Sequence, residues 1–155
     1  TVVMKLFSIV RPNKAAFGKK DYQQLRIIQK MVEQFGMPIE IIPVELQRNQ
    51  QTGLALSSRN RYLNDKELEE ATLLYRTVKG VKEALEAGSS DADALEEKAM
   101  ETLRQNGWQP DYVAVVRRKD LLAPTKDDLL TREPLVVLAA AKIGTTRLID
   151  NIEVF

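Results

Sequence analysis

The 155-residue sequence contains neither cysteine nor histidine. Without cysteine there is no disulfide framework and no thiolate metal site. Without histidine the usual proton shuttle near neutral pH and the commonest metal ligand are both gone. Any chemistry must rest on amines, guanidinium groups, carboxylates and hydroxyls. An excess of charge is also missing. The 23 basic and 22 acidic residues leave a net charge of +1, so the bulk field suits neither a nucleic-acid coat nor an anionic membrane, and neither partner is expected. No apolar run approaches the roughly 20 residues that span a bilayer. No signal peptide is visible, and the cytoplasm is the default expectation. What is present is a 44% hydrophobic, 29% charged composition, enough for one domain or slightly more. Thr1 already lies in an apolar-periodic segment without a cap, so the sequence reads as part of something longer.

Thr1 to Val10 reads as the tail of a buried helix, broken at Arg11-Pro12-Asn13. Ala15 to Gly18 is a candidate buried strand. Asp21 then opens an amphipathic helix with Leu25, Ile28, Val32 and Phe35 on one face and Gly36 as its stop. Ile39 to Val44 is β-branched and reads as a second strand. Alternating helix and strand is the pattern of a parallel α/β sheet, although two strands are few for one, and further strands are expected before Thr1. The polar stretch Gln47 to Thr52 marks a boundary between residues 1–46 and 47–155. Beyond it, Asn64 with Glu67 forms a capping-box start for a helix through Leu68, Leu74, Val78 and Val81 that ends at Gly88. A second helix spans about Asp91 to Gln105. Strands follow near Tyr112–Arg117, Leu135–Ala141 and Arg147–Val154, and Gly144-Thr145-Thr146 makes a hairpin-type turn. The second unit is therefore a small α+β domain with an antiparallel three-stranded sheet.

Two stretches could carry chemistry. In Phe17-Gly18-Lys19-Lys20-Asp21-Tyr22-Gln23-Gln24, a glycine at a strand end lets backbone approach a ligand. The helix N-terminus after it suits phosphate or carboxylate, and Lys20 adds a charge. A D-x-x-Q capping box explains Asp21 and Gln24 equally well without any ligand. In Gly53-Leu54-Ala55-Leu56-Ser57-Ser58-Arg59-Asn60-Arg61-Tyr62-Leu63, hydroxyls and a guanidinium can wrap a polyphosphate. A polar linker with Ser57 or Ser58 capping a turn accounts for the same residues. Arg117 to Asp120 reads as a strand-end turn with exposed charge, the Lys79, Lys82, Glu83 and Glu86 region as a solvated helix face, and Trp108 and Tyr112 as packing residues. Asp127-Asp128 lacks the partners of a metal site, so no metal ligand is assigned.

Taken together, in order and spacing, F-G-K-K-D-Y-Q-Q-L, a helix, I-x-x-x-P, a loop and G-L-A-L-S-S-R-N-R-Y-L resemble the pantoate–β-alanine ligase family. Thr145 to Asn151, T-T-R-L-I-D-N, resembles that family's ending. The resemblance implies that residues 1–46 are the last part of a Rossmann-like nucleotide-binding domain and 47–155 a C-terminal lid domain. It implies an ATP-dependent ligase of coenzyme A biosynthesis that condenses pantoate with β-alanine through a pantoyl adenylate. Lys20, Ser57, Ser58 and Arg59 would hold phosphates, in a linker that swings as half of the active site. Gly18 and Asp21 would meet the ribose, with Lys19 beside them in the ATP site. Gln47 would meet adenine by its backbone, Leu56 would line the nucleotide site and Gln24 would orient pantoate. Mg²⁺ would ride on the ATP phosphates, and the intact protein would be a homodimer. Two departures stand out: Lys19 replaces an often acidic residue, and the Pro43–Gly53 loop is longer than usual. The family's H-x-G-H motif is absent, so the sequence by itself is expected to be catalytically silent. Two other readings of the residues remain: a non-catalytic α+β module whose Ser57–Arg61 stretch binds a protein or acidic peptide, and another nucleotidyl-transfer or adenylate-forming enzyme that shares the lid.

Overall fold

A computed structural model describes all residues, 1–155. The chain divides into two compact units, Thr1–Leu46 and Gln47–Phe155. The class is α/β: a parallel two-stranded sheet in the first unit and an antiparallel three-stranded sheet in the second.

The first unit contains helix α1 (Val2–Val10), strand β1 (Lys14–Gly18), a 3-10 turn at Lys19–Asp21, helix α2 (Tyr22–Gln34) and strand β2 (Glu40–Val44). β1 and β2 pair in parallel from Lys14 opposite Glu40 to Gly18 opposite Val44. α2 follows its predicted apolar stripe at Leu25, Ile28 and Val32, which are buried, but Phe35 falls at the helix's C-cap, beyond its last turn, and is exposed. Gly36, at φ 57°, ends it in the left-handed conformation that glycine accepts at no steric cost. Phe7, Ile28 and Val32 form the core, and Phe7 meets Phe17 edge-on with ring centroids 6.2 Å apart. The helix predicted at the start is present but is not buried: Phe7 alone reaches the core, and Val2, Leu6, Ile9 and Val10 are exposed. A helix of nine apolar-rich residues can turn only one stripe toward a single small cluster.

The second unit contains a 3-10 turn at Ser58–Tyr62, helices α3 (Asp65–Glu70), α4 (Thr72–Glu86) and α5 (Ala92–Gln105), strand β3 (Gln109–Arg117), helix α6 (Lys126–Leu130), and strands β4 (Leu135–Ile143) and β5 (Thr146–Val154). The sheet order is β3-β4-β5. Ile143 pairs with Thr146 across a two-residue turn whose first member, Gly144, has φ 55°. Glycine at that position is what a tight hairpin turn requires. α4 and α5 pack against the sheet through Leu74, Val78, Val81, Leu85, Ala99 and Leu103, which share one core with Val113, Val115, Val137 and Val154. The Asn64/Glu67 capping box is formed in both directions.

Three local features differ from expectation. The helix opened by Asn64 is interrupted at Ala71, where the Thr72 hydroxyl donates to the Glu69 carbonyl at 2.9 Å and competes with the backbone ladder. The stretch 118–134 contains a short helix, α6, capped by Thr125 and Asp128. The strand-end turn at Arg117 to Asp120 is present, but of its charges only Lys119 is exposed. Arg117 bridges Asp120 at 2.9 Å and Asp128 at 3.2 Å, and Arg118 donates to the carbonyls of Leu135 and Phe155 at 2.9 and 2.7 Å. These arginines close the ends of the strands, so their charges turn inward. Bonds from the Leu122 amide to Asp120 and from Thr125 to Asp128 hold both carboxyls below the ordinary aspartate range, with the Arg117 guanidinium adding to the effect. No helix is long and apolar enough to cross a membrane.

Candidate functional site

The predicted residues fall into two groups, one in each unit. In the first unit, Gly18 is the last residue of β1, and Lys19, Lys20 and Asp21 form the 3-10 turn that leads directly into α2. The carboxyl end of a parallel strand followed by a helix N-terminus is where open α/β sheets bind ligands. Gly18 has an ordinary extended backbone, and a Cβ built there would meet only the Lys20 amide nitrogen, at 4.0 Å. Neither strain nor packing within the chain calls for glycine at this position. Lys19 is mostly buried and its ammonium pairs with Glu45, just beyond β2. That pair ties together the carboxyl ends of the two strands and commits the charge of Lys19 within the chain.

The D-x-x-Q capping box does not form. Asp21 sits at φ −94°, ψ 65°, and its side chain accepts no capping bond. Because the 3-10 turn runs straight into α2, Asp21 lacks the extended backbone that lets an N-cap side chain fold back onto the helix amides. Asp21 and Gln24 are both exposed. The capping box therefore does not account for Asp21 and Gln24.

In the second unit, the long loop is a compact excursion. Asn49 and Leu54 pair by backbone, Arg48 and Ala55 form an isolated antiparallel bridge, and the Leu56 amide donates to the Gln47 carbonyl at 2.9 Å. The Asn49 side chain accepts from the amides of Gln51 and Thr52 at 2.9 and 3.0 Å, an Asx-type turn. The extra residues lie beyond this neck, so Gln47 and Leu56, nine positions apart in sequence, are neighbours. Gly53, at φ 73°, closes the loop; a Cβ there would lie 2.3 Å from the Tyr75 ring, so glycine is required twice over.

Ser57 follows in extended conformation and accepts from the Arg59 amide at 3.1 Å, starting the 3-10 turn. The capping role considered for Ser57 is thus real, and it uses an oxygen lone pair while leaving the hydroxyl proton to donate elsewhere. Ser58 and Arg59 are exposed, and the Arg59 guanidinium has no partner in the chain. Arg61 differs: it stacks on the Tyr62 ring at 4.8 Å and donates to its hydroxyl at 2.7 Å. Asn60 anchors the turn by donating to the Ala55 carbonyl at 3.0 Å. Leu56 is 54% exposed, unusual for a leucine flanked by a buried alanine and a capped turn.

Sequence reasoning missed Arg48. Its guanidinium donates to both carboxylate oxygens of Asp150, to the Asn151 carbonyl and to the Gly53 carbonyl, and it lies 4.2 Å from the centroid of the Tyr75 ring. Arg48 lay in a stretch read as a polar loop, and nothing local announces a partner 102 positions away. The available hint was the T-T-R-L-I-D-N ending, which contains Asp150 and Asn151. No group of three or more His, Cys, Asp or Glu is arranged to hold a metal ion.

A sequence model of the pantoate-β-alanine ligase family matches residues 1–153. Among solved structures, a pantothenate synthetase of Thermus thermophilus is 38% identical, superposes with a TM-score of 0.87, and is matched over 100% of this chain and 54% of its own. A second structure from that organism is 35% identical with a TM-score of 0.86. A pantoate-β-alanine ligase of Francisella tularensis, complexed with β-γ ATP and β-alanine, is 30% identical with a TM-score of 0.69, over 97% of this chain and 47% of its own. The chain spans about half the length of these relatives. With the sequence model matched almost end to end and the fold shared at 38% identity, the chain belongs to the pantoate-β-alanine ligase family.

Proposed function

We propose that this chain supplies part of the site of an ATP-dependent ligase that joins pantoate to β-alanine. In the first step the pantoate carboxylate attacks the α-phosphorus of ATP; a carboxylate–phosphorus bond forms and pyrophosphate leaves. In the second the amine of β-alanine attacks the acyl carbon of the adenylate, giving the amide as AMP leaves and the amine loses its proton. Mg²⁺ would enter with the nucleotide, held by its phosphates, and neutralise charge there.

The residues do their work by holding and orienting. Lys20 in the first unit, and Arg59, Ser57 and Ser58 in the second, each offer donors for phosphate oxygens, the two cations by charge-assisted bonds. Gly18 admits the ribose close to the backbone, Asp21 accepts from its hydroxyls, and Lys19 supports this turn through Glu45. Gln47 and Leu56, joined at the loop neck, line the base. Gln24, in the first turn of α2, orients pantoate. Fixing nucleophile and phosphorus in line and neutralising the developing charge are the main contributions a protein makes to such a transfer. The observation that carries this reading is the family match over residues 1–153, which includes both motifs.

The test is a chimera in which this chain replaces the corresponding segment of the Thermus thermophilus relative. AMP formation should depend on pantoate. Lys20→Ala should lower the adenylation rate by about 100-fold or more, the scale of losing a charge-stabilising contact in a transition state, without unfolding the protein. Gln24→Ala should raise the KM for pantoate far more than that for ATP. A folded Lys20→Ala chimera that adenylates at the unmodified rate would exclude the assignment. If Gln24→Ala altered only thermal stability, its role would be structural.

A further inference from the structure

Residues Ser57–Arg59 begin a 3-10 turn held between buried Ala55 and Leu63, and its entry is joined to the sheet by a short series of polar contacts. Asn60, within the turn, holds the Ala55 carbonyl at 3.0 Å. Ala55 bridges to Arg48 across the loop neck. The Arg48 guanidinium then spans Asp150 Oδ1 and Oδ2 at 2.8 and 2.9 Å, the Asn151 carbonyl at 2.8 Å and the Gly53 carbonyl at 3.1 Å. Its flat face rests on Tyr75 of α4. Asp150 is 4% exposed, and Arg48 is largely covered.

We propose that Arg48, clamped by Asp150 of β5, is a positioning residue that presets the Ser57–Ser58–Arg59 turn for the phosphates of ATP. The inference rests on the reading of that turn as a phosphate site. A buried ion pair is a poor device for stability alone, because well-packed apolar residues commonly do as well. What such a pair does supply is directionality: four donor bonds in one plane fix where the neck lies and which way the turn leaves it. A lysine cannot reproduce this, because an ammonium is a point charge without the planar fork. Binding to a turn already held in place avoids the ordering cost that a loose loop incurs at the moment of binding.

The test uses the 155-residue chain in four forms: unmodified, Arg48→Lys, Arg48→Ala, and Val115→Ala as a core-destabilised control remote from the loop. MgATP is titrated while the backbone amides are followed by NMR, well below every melting temperature. In the unmodified chain the Ser57, Ser58 and Arg59 amides should shift. Both Arg48 variants should keep the strand amides of β4, exchange the Ala55–Asn60 amides at least about tenfold faster, and bind MgATP at this turn at least about fivefold more weakly. Val115→Ala should lose stability but keep the affinity. The positioning role is overturned if Arg48→Lys binds as well as the unmodified chain, or if Val115→Ala weakens binding equally. Absence of any shift at Ser57–Arg59 in the unmodified chain overturns the phosphate-site reading itself, and the positioning role with it. The two failures are thereby distinguished.

Discussion

Residues 1–46 and 47–155 solve the problem of burying apolar surface to different degrees. The second unit joins nineteen buried apolar residues into one cluster, whereas the first unit's cluster has three, Phe7, Ile28 and Val32. The difference follows from architecture. Here α4 and α5 cover one face of β3, β4 and β5, and β4 is buried on both faces, Val136, Leu138 and Ala140 as well as Val137, Ala139 and Ala141. A parallel sheet ordinarily has both faces covered, and a lone pair of strands is marginal in water. β1 and β2 accordingly leave Ile42 and Val44 exposed, and α1 leaves Val2, Leu6, Ile9 and Val10 exposed. The lesson for function is that the two groups of candidate residues rest on unequal foundations. Gly18 to Gln24 depend on a small cluster, while the turn that begins at Ser57 ends at Leu63, a member of the larger core.

The largest effect that would sharpen this contrast comes from the heart of the second unit. Leu103 is fully buried, so Leu103→Ala should destabilise that unit by about 3 kcal/mol or more, read from the urea midpoint of its strand signals. Gly53→Ala should follow at about 2 kcal/mol or more, because it forces a side chain into a left-handed backbone and against Tyr75. A Gly53→Ala protein of unchanged stability would show that the loop neck is looser than the structure describes. Hydrogen exchange should then separate the units directly, with β1 and β2 amides opening at a much lower free energy than those of β4. Equal protection in both sheets would break the comparison.

Smaller effects follow. Glu96, on α5, accepts from the Val115 amide at 2.7 Å at the free edge of β3, and burial raises its pKa. A raised carboxyl pKa means that the folded state binds the proton more tightly, so stability falls as pH rises from the unfolded value through the folded one. Glu96→Gln keeps the acceptor and removes the charge. It should match or slightly exceed the unmodified melting temperature at pH 7, and the difference should vanish below the unfolded carboxyl range. A lower melting temperature at pH 7 would mean that the carboxylate form is the preferred one. Smallest of all, Ile9→Ser on the exposed side of α1 should change stability by no more than about 0.5 kcal/mol.

The same contrast explains what was legible in the sequence. Features set by neighbouring residues were readable: the stripe of α2, the Asn64/Glu67 cap, and the hairpin at Gly144. The motif residues were readable through their family resemblance. Features decided by competition or by distant partners were not. The capping box at Asp21 lost to a 3-10 turn, the helix after Asn64 yielded at Thr72 to a hydroxyl bond, and Arg117 and Arg118 turned inward toward partners elsewhere in the chain. The Arg48–Asp150 clamp joins the two ends of the second unit, and no window of sequence contains both.

The central claim is that these residues are one part of a pantoate-activating site, and AMP formation tests it most directly. The chain is incubated with ATP, Mg²⁺, pantoate and β-alanine, alone and together with the other half of the Thermus thermophilus relative. The account predicts no AMP from the chain alone and pantoate-dependent AMP from the pair, lost again with Lys20→Ala. Robust turnover by the chain alone, or a folded pair that makes no AMP, would contradict it.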